Sequence, residues 1–287
     1  MATHQEIMHL KELAYDMRMK LLTLCGSYGG ILHIGGDLSM TEMILALYNY
    51  GMNVDGNDIM APDRDRFVLS KGHGAMAMYT AMSYKGFFDY DYMKDTYGQL
   101  DSAFGMHPCK VQLPGVETSS GSLGQGLSIA TGMAISAKRK GEKHRVFCFV
   151  GDGESCEGQI WEAVMTAHAQ KLNNLVVVLD RNKQLMTTMS EEMMMLDPYP
   201  DKWAAFGWDV TEINGHDFAE ICDALDNLKK PGESDNPQVI IANTVKGKGV
   251  SFMERNIGWH AGMLSKEDLE TALADVQAAW DKEREGN

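Results

Sequence analysis

The chain has 287 residues, 44% of them hydrophobic and 23% charged, and 40 acidic against 26 basic residues leave a net charge of −14. That much apolar sequence supports a sizeable core in one large domain or two small ones and excludes bulk disorder. The negative charge makes nucleic acid and anionic membrane poor partners for the surface as a whole, although a metal ion or a few local donors still admit an anionic small molecule.

The N-terminal twenty residues are amphipathic and lack the apolar core of a signal peptide. No apolar run reaches about 18 residues, so no membrane span is expected. Cys25, Cys109, Cys148, Cys156 and Cys222 form no CxxC pair and read as reduced thiols of a cytoplasmic protein. The 22 methionines read as flexible core filler.

In chain order, Ile7, Leu10, Ala14, Met17, Leu21 and Leu24 predict a first amphipathic helix. Gly26–Gly36 reads as a glycine-rich loop. Ser39 with Glu42 three residues on predicts a capping box opening a second helix through EMILALYNY. Apolar runs predict strands at 66–70, 144–150, 174–180, 208–213 and 237–244, with helices near 123–139, 157–171, 216–229 and 265–283. Residues 186–202 read as a long irregular connection. No repeat or clear linker interrupts the chain. The alternation predicts an α/β fold with a mostly parallel sheet flanked by helices, over a single domain from 1 to 287.

Polar signals follow the carboxyl ends of the strands, where ligands bind in open α/β sheets. The stretch GDGESCEGQIWEA (151–163) resembles a phosphate-binding turn, yet it holds no Lys or Arg. Asp152 and Asn182 each follow an apolar strand and lie 30 residues apart, one βαβ crossover. Neighbouring parallel strands would bring both to one edge of the sheet. Their hard oxygens suit Mg²⁺, or Ca²⁺, with diphosphate oxygens and water completing the shell. The loop is then acidic because the cation binds the anion. A tight turn accounts for GDG alone; the paired Asn182 makes the pattern specific.

The nine histidines fall into two groups. His4, His9, His144 and His216 read as surface or turn residues, and His168 as packed on the stripe of Ile160, Val164 and Leu172. His33, His73, His107 and His260 stand in glycine-rich or loop contexts, suited to moving protons and donating to oxyanions at neutral pH.

The GDG…Asn region resembles the thiamine-diphosphate-binding motif, and the chain as a whole resembles the N-terminal half of transketolase. SKGHGAMAMY (70–79), LPGVETSSGSLGQGLSIATGMA (113–134), DKWAAFGWDV (201–210), INGHD (213–217) and TVKGKGVSFME (244–254) occur in transketolase order. The resemblance implies a diphosphate-binding domain carrying thiamine diphosphate. It implies metal ligation by Asp152, Asn182 and the backbone carbonyl of Gln184, with Gly151 and Gly153 along the diphosphate. Gly121, Ser122 and Leu123 match the backbone segment near the cofactor. His73 is implied as a cofactor and oxyanion contact, His33 and His260 as proton-transfer and substrate contacts, and His107 as a contact to the donor's C1 hydroxyl. Glu157 matches a glutamate that links paired active sites between subunits; otherwise it is an exposed first-turn glutamate favoured by the helix dipole.

The chain departs from the family pattern at Met106 before the HP dipeptide, at Leu185–Thr187 after the Asn region, and at Ile34–Gly36, where long transketolases carry Pro-Gly. The last variant is similar to the short, two-gene transketolases. Cys109 and Lys110 sit where substrate would pass, leaving donor choice open. A one-chain transketolase is about twice as long, and its second domain carries the groups that activate the aminopyrimidine and hold the sugar phosphate. The expectation is therefore a split enzyme. This chain would need a separate pyrimidine-domain subunit, in an α2β2 assembly with an apolar interface. The implied reaction moves a two-carbon ketol unit from an anionic ketose to an aldose. The route is the pentose phosphate pathway or one dedicated to a sulfonated ketose or branched pentose. The alternatives are another thiamine-diphosphate enzyme, such as a deoxyxylulose-phosphate synthase or a 2-oxoacid dehydrogenase E1 subunit, and a non-catalytic cofactor-binding fragment.

Overall fold

A computed structural model describes residues 1–230 and 233–286. Helix α1 (His4–Tyr28) starts at a capping box between Thr3 and Glu6 and ends at Gly29, which takes φ 72°. It buries Leu10, Ala14, Met17, Leu21 and Leu24, the predicted stripe. Helices α2 (Ile34–Ser39) and α3 (Thr41–Ala46) follow, then a π-helical turn over Leu47–Gly51. The glycine-rich loop is thereby shorter than its composition suggests.

The capping box expected at Ser39 is not formed. Ser39 closes α2, and its hydroxyl donates to the Gly36 carbonyl at 3.0 Å and to Asp180 at 2.7 Å. Glu42 is buried and takes Arg18 and His216 as partners instead. Tertiary partners outcompete the local cap.

Strand β1 (Arg66–Leu69) leads to α4 (Ala75–Tyr84) and α5 (Tyr90–Thr96). After a long loop come α6 (Gln125–Lys140), β2 (Val146–Gly151), α7 (Gly158–Ala169) and β3 (Leu175–Arg181). Short helices α8 (Ser190–Met193) and α9 (Tyr199–Ala205) occupy much of the stretch expected to be irregular. β4 (Asp209–Asn214), α10 (Phe218–Asp226), β5 (Gln238–Asn243) and α11 (Lys266–Glu285) complete the described elements.

Among the described residues the strands form one parallel five-stranded sheet in the order β1-β2-β3-β5-β4. Both faces are covered, as a parallel sheet requires. Phe147, Phe149, Val176, Val178 and Ile240 face α1, α3, α4 and α10, while Val146, Cys148, Val150, Val177 and Ile241 face α6, α7 and α9. This alternation is the two-residue period of a strand. With every strand pointing the same way, all the carboxyl ends converge on one edge.

Candidate active site

β2 and β3 pair in register through Gly151 and Asp180, so Asp152 and Asn182 emerge side by side. The Lys183 N–H donates to Asp152 Oδ2 at 2.6 Å, and the Gly153 N–H to Oδ1 at 2.8 Å. The Gln184 N–H donates to Asn182 Oδ1 at 3.1 Å. Lys183 takes φ 61°, which folds this turn back over the strand end. The Gln184 carbonyl faces inward and accepts from the Lys246 ammonium at 3.1 Å.

Asp152 is 2% exposed. Burial, and then the charge of Asp180, push its carboxyl up to about 7, against the pull of its two backbone donors. A buried carboxylate so under-compensated, beside an amide oxygen and a backbone carbonyl, is a donor set that fits a hard divalent cation. Among the described residues no group of three His, Cys, Asp or Glu side chains is placed to hold a metal, so any site here depends on this mixed oxygen set.

The four loop histidines converge. Ring centroids of His33 lie 5.4 Å from His73, 6.0 Å from His107 and 5.5 Å from His260, and His73 lies 5.4 Å from His260. Burial holds all four below the usual histidine value. For His73, Lys71 adds to the effect, and for His260, Lys246 does so and brings it down to about 3. The cluster is therefore neutral near pH 7, each ring offering one donor and one acceptor. The Lys246 ammonium stands 2.9 Å from His260 Nδ1; burial and the charge of Lys71 lower it to about 8.

The segment around Gly121 closes the third side. Gly121 lies against the His107 ring, where a Cβ would begin 3.5 Å away. Gly72 of the SKGHG turn is packed so closely that a Cβ would stand 2.7 Å from Ser120 Oγ and 2.8 Å from Gly121 N. Only glycine permits that approach. Ser122 and Leu123 continue from it toward α6, and Leu123 is exposed. Glu157 is exposed at the N-terminus of α7.

Reasoning from sequence missed three buried groups. Lys71 pairs with Asp180, and Lys246 reaches the Gln184 and Leu185 carbonyls. Glu154 accepts from the Ser70 hydroxyl at 2.6 Å, the Gly124 N–H at 2.8 Å and the Gly151 N–H at 3.0 Å. The available signal was a lysine in a glycine-rich turn of an acidic chain, but no pattern along the sequence names its partner.

Three other histidines need restating. His144 is buried rather than on the surface, because it packs at the start of β2. His168 is exposed on α7 rather than packed, with its ring lying over Gly207. His216 sits in the turn after β4, half-buried between Glu42 and the Val245 N–H. His4 and His9 are exposed. The five cysteines are free thiols, and no helix among the described residues is long and apolar enough to cross a membrane.

Residues 25–284 match the family model described as transketolase, thiamine diphosphate binding domain. One of the two subunits of the apulose-4-phosphate transketolase from Actinobacillus succinogenes is 38% identical over 268 residues, 93% of this chain and 96% of that protein. The 6-deoxy-6-sulfo-D-fructose transketolase subunit SqwG from Clostridium sp. is 39% identical over 248 residues, 86% of this chain and 89% of that protein. Among solved structures, transketolase from Campylobacter jejuni superposes with a TM-score of 0.85 at 29% identity, covering 93% of this chain and 42% of that one.

Proposed function

Because this chain belongs to the transketolase family and carries its thiamine-diphosphate-binding domain, we propose that it works with a second chain to move a two-carbon ketol unit from an anionic ketose to an aldose. The chain spans 42% of the length of a one-chain transketolase but 96% of the Actinobacillus relative, which is itself named as a subunit. That contrast supports a separate pyrimidine-domain partner, in an α2β2 assembly. Exposed apolar residues flank the histidines in sequence and suit such a partner: Ile31, Val111, Leu123 and Met263. Residues 1–287 then act as one diphosphate-binding domain. The five free thiols fit a reducing, cytoplasmic compartment.

Thiamine diphosphate, when bound, supplies the carbanion and electron-sink chemistry of ketol transfer. Asp152, Asn182 and the Gln184 carbonyl would hold Mg²⁺, or Ca²⁺, against its diphosphate, and Gly151 and Gly153 would let the backbone approach. The four neutral histidines would donate to the alkoxide that develops on the donor carbonyl and pass protons between the sugar hydroxyls. We assign His73 to the cofactor side, His33 and His260 to proton transfer, and His107 to the donor's C1 hydroxyl. Glu157, exposed here, would be covered in the assembly.

The observation that carries this reading is the convergence of His33, His73, His107 and His260 beside the Asp152–Asn182–Gln184 oxygen set. The two relatives named for apulose 4-phosphate and sulfofructose favour a branched or sulfonated donor over the pentose phosphate route. The test reconstitutes both chains with thiamine diphosphate and Mg²⁺. Xylulose 5-phosphate, apulose 4-phosphate and sulfofructose are then compared as donors. We expect aldose-dependent ketol transfer only with both chains present. Pyruvate consumption, or cofactor binding without turnover of any donor, would overturn the reading.

A further inference from the structure

A cavity of about 470 Å³ lies away from the histidines, between α1, α11 and the strap of residues 248–254. Such a volume is in the range of small-molecule sites, roughly 300 to 1,000 Å³. It exists because the two helices part locally. They are held together by Lys11 to Glu283 at 2.5 Å and by the Tyr15 hydroxyl donating to Gln277 at 2.6 Å. Between these ties, Ala14 and Ala279 face the space with only methyl groups. Tyr15 and Trp280 stack at one wall with ring centroids 5.3 Å apart and planes 15° from parallel. Gly249, at φ 94°, brings the strap against Arg18, where a Cβ would stand 3.2 Å from the guanidinium Nε.

The charges of the lining do not cancel. Four carboxylates face three Lys and Arg cations. Glu42 is paired with Arg18 at 2.6 Å, Glu254 with Lys248 at 3.2 Å, and Glu283 with Lys11. Asp275 is left over. It accepts one backbone N–H, from Ser251 at 2.8 Å, and has no cationic partner among the described residues. An unmatched carboxylate beside a stacked indole is the pairing that recognises an organic cation, through charge and through the face of the ring.

We propose that this cavity is a binding site for a small organic amine, its ammonium on Asp275 and its apolar body over Trp280 and the methyls of Ala14 and Ala279. The strap separates this site from the histidines. Lys248 and Gly249 line the cavity, whereas Lys246, two residues earlier, reaches the Gln184 carbonyl and His260. A bound amine would therefore be in addition to the cofactor and the sugars rather than in competition with them.

The test titrates the full chain with phenethylamine and, as an uncharged control, phenethyl alcohol, by calorimetry and tryptophan fluorescence. We expect saturable one-to-one binding of the amine. Binding should be about tenfold weaker in Asp275→Asn, an effect the alcohol should not share. Ala279→Leu, which fills the cavity, should abolish binding of both while its melting temperature reports that it is folded. Absence of saturable binding at millimolar amine, or equal affinity in wild type and Asp275→Asn, overturns the proposal.

Discussion

Lys71 and Asp180 stand 109 residues apart in sequence and meet at 2.6 Å, with the lysine 1% and the aspartate 0% exposed. The same carboxylate accepts from Ser39 and Thr244, so one side chain ties β1, α2, β3 and the end of β5 beneath the site. Burial alone would raise Asp180, but Lys71 and the two hydroxyls hold it below its ordinary value. Removing one partner strands the other as a buried charge. Asp180→Ala should cost about 3 to 5 kcal/mol, and Lys71→Ala/Asp180→Ala less than the sum of its single changes. Urea denaturation measures both. A loss below about 1 kcal/mol for Asp180→Ala would show that the pair is not uncompensated once broken.

Glu42 gives a pH dependence with a definite sign. Burial raises its carboxyl, but the charge of Arg18 and the contacts with His216 reverse that and bring it to about 2, from an ordinary 4.5. A depressed acid contributes stability that is present above 4.5 and lost as pH falls toward about 2. Wild type should exceed Glu42→Gln by on the order of 3 kcal/mol at neutral pH. The gap should close across that acid window. A gap that stays constant between neutral pH and pH 3 would contradict the assignment.

Asp152 should oppose stability in the metal-free chain and support it in the loaded one. Asp152→Asn relieves an under-compensated buried carboxylate and should raise the melting temperature of the metal-free chain. In wild type, Mg²⁺ with thiamine diphosphate at about a hundred times their dissociation constants should add about 2.7 kcal/mol. Asp152→Asn should lose most of that gain. Equal stabilisation of both proteins would remove Asp152 from the proposed metal set.

Glu154 links the turn after β1, the entry of α6 and the glycine turn after β2 through three hydrogen bonds. Glu154→Ala leaves the Gly124 and Gly151 amides without their acceptor. We expect a stability loss of about 2 to 4 kcal/mol, with faster amide exchange at both glycines. Glu154→Gln, which keeps one acceptor oxygen, should recover part of each. Unchanged exchange at Gly151 would mean that the clamp does not hold the turn.

The histidines should act in the reaction and leave folding largely alone. His107→Ala is expected to lower kcat/KM about 10² to 10⁴-fold in the two-chain enzyme. Because burial keeps all four rings below the usual histidine range, activity should persist below pH 6.5, the ordinary value for a free ring. A pH profile with its acid limb at 6.5 would show that the assembled site rehydrates them.

Much of this protein was legible along the chain. The strand runs, the helix stripe from Leu10 to Leu24 and the spacing of Asp152 and Asn182 follow from local periodicity and from a single βαβ crossover, so neighbouring residues decide them. The convergence of His33, His73, His107 and His260 was expected only through family resemblance, because four separate loops supply them. Ser39 and Glu42 make the same point in reverse. Together they have the form of a helix cap, yet Asp180 claims the hydroxyl and Arg18 claims the carboxylate. Local patterning thus sets which segments form strands and where polar groups leave the sheet. The folded chain alone brings Lys71 to neutralise Asp180, stretches Glu154 across three turns and parts α1 from α11 around Asp275. The physical reason is that a buried charge must find its counter-charge wherever the strand order and helix packing bring one, and that distance in space is not written in distance along the chain.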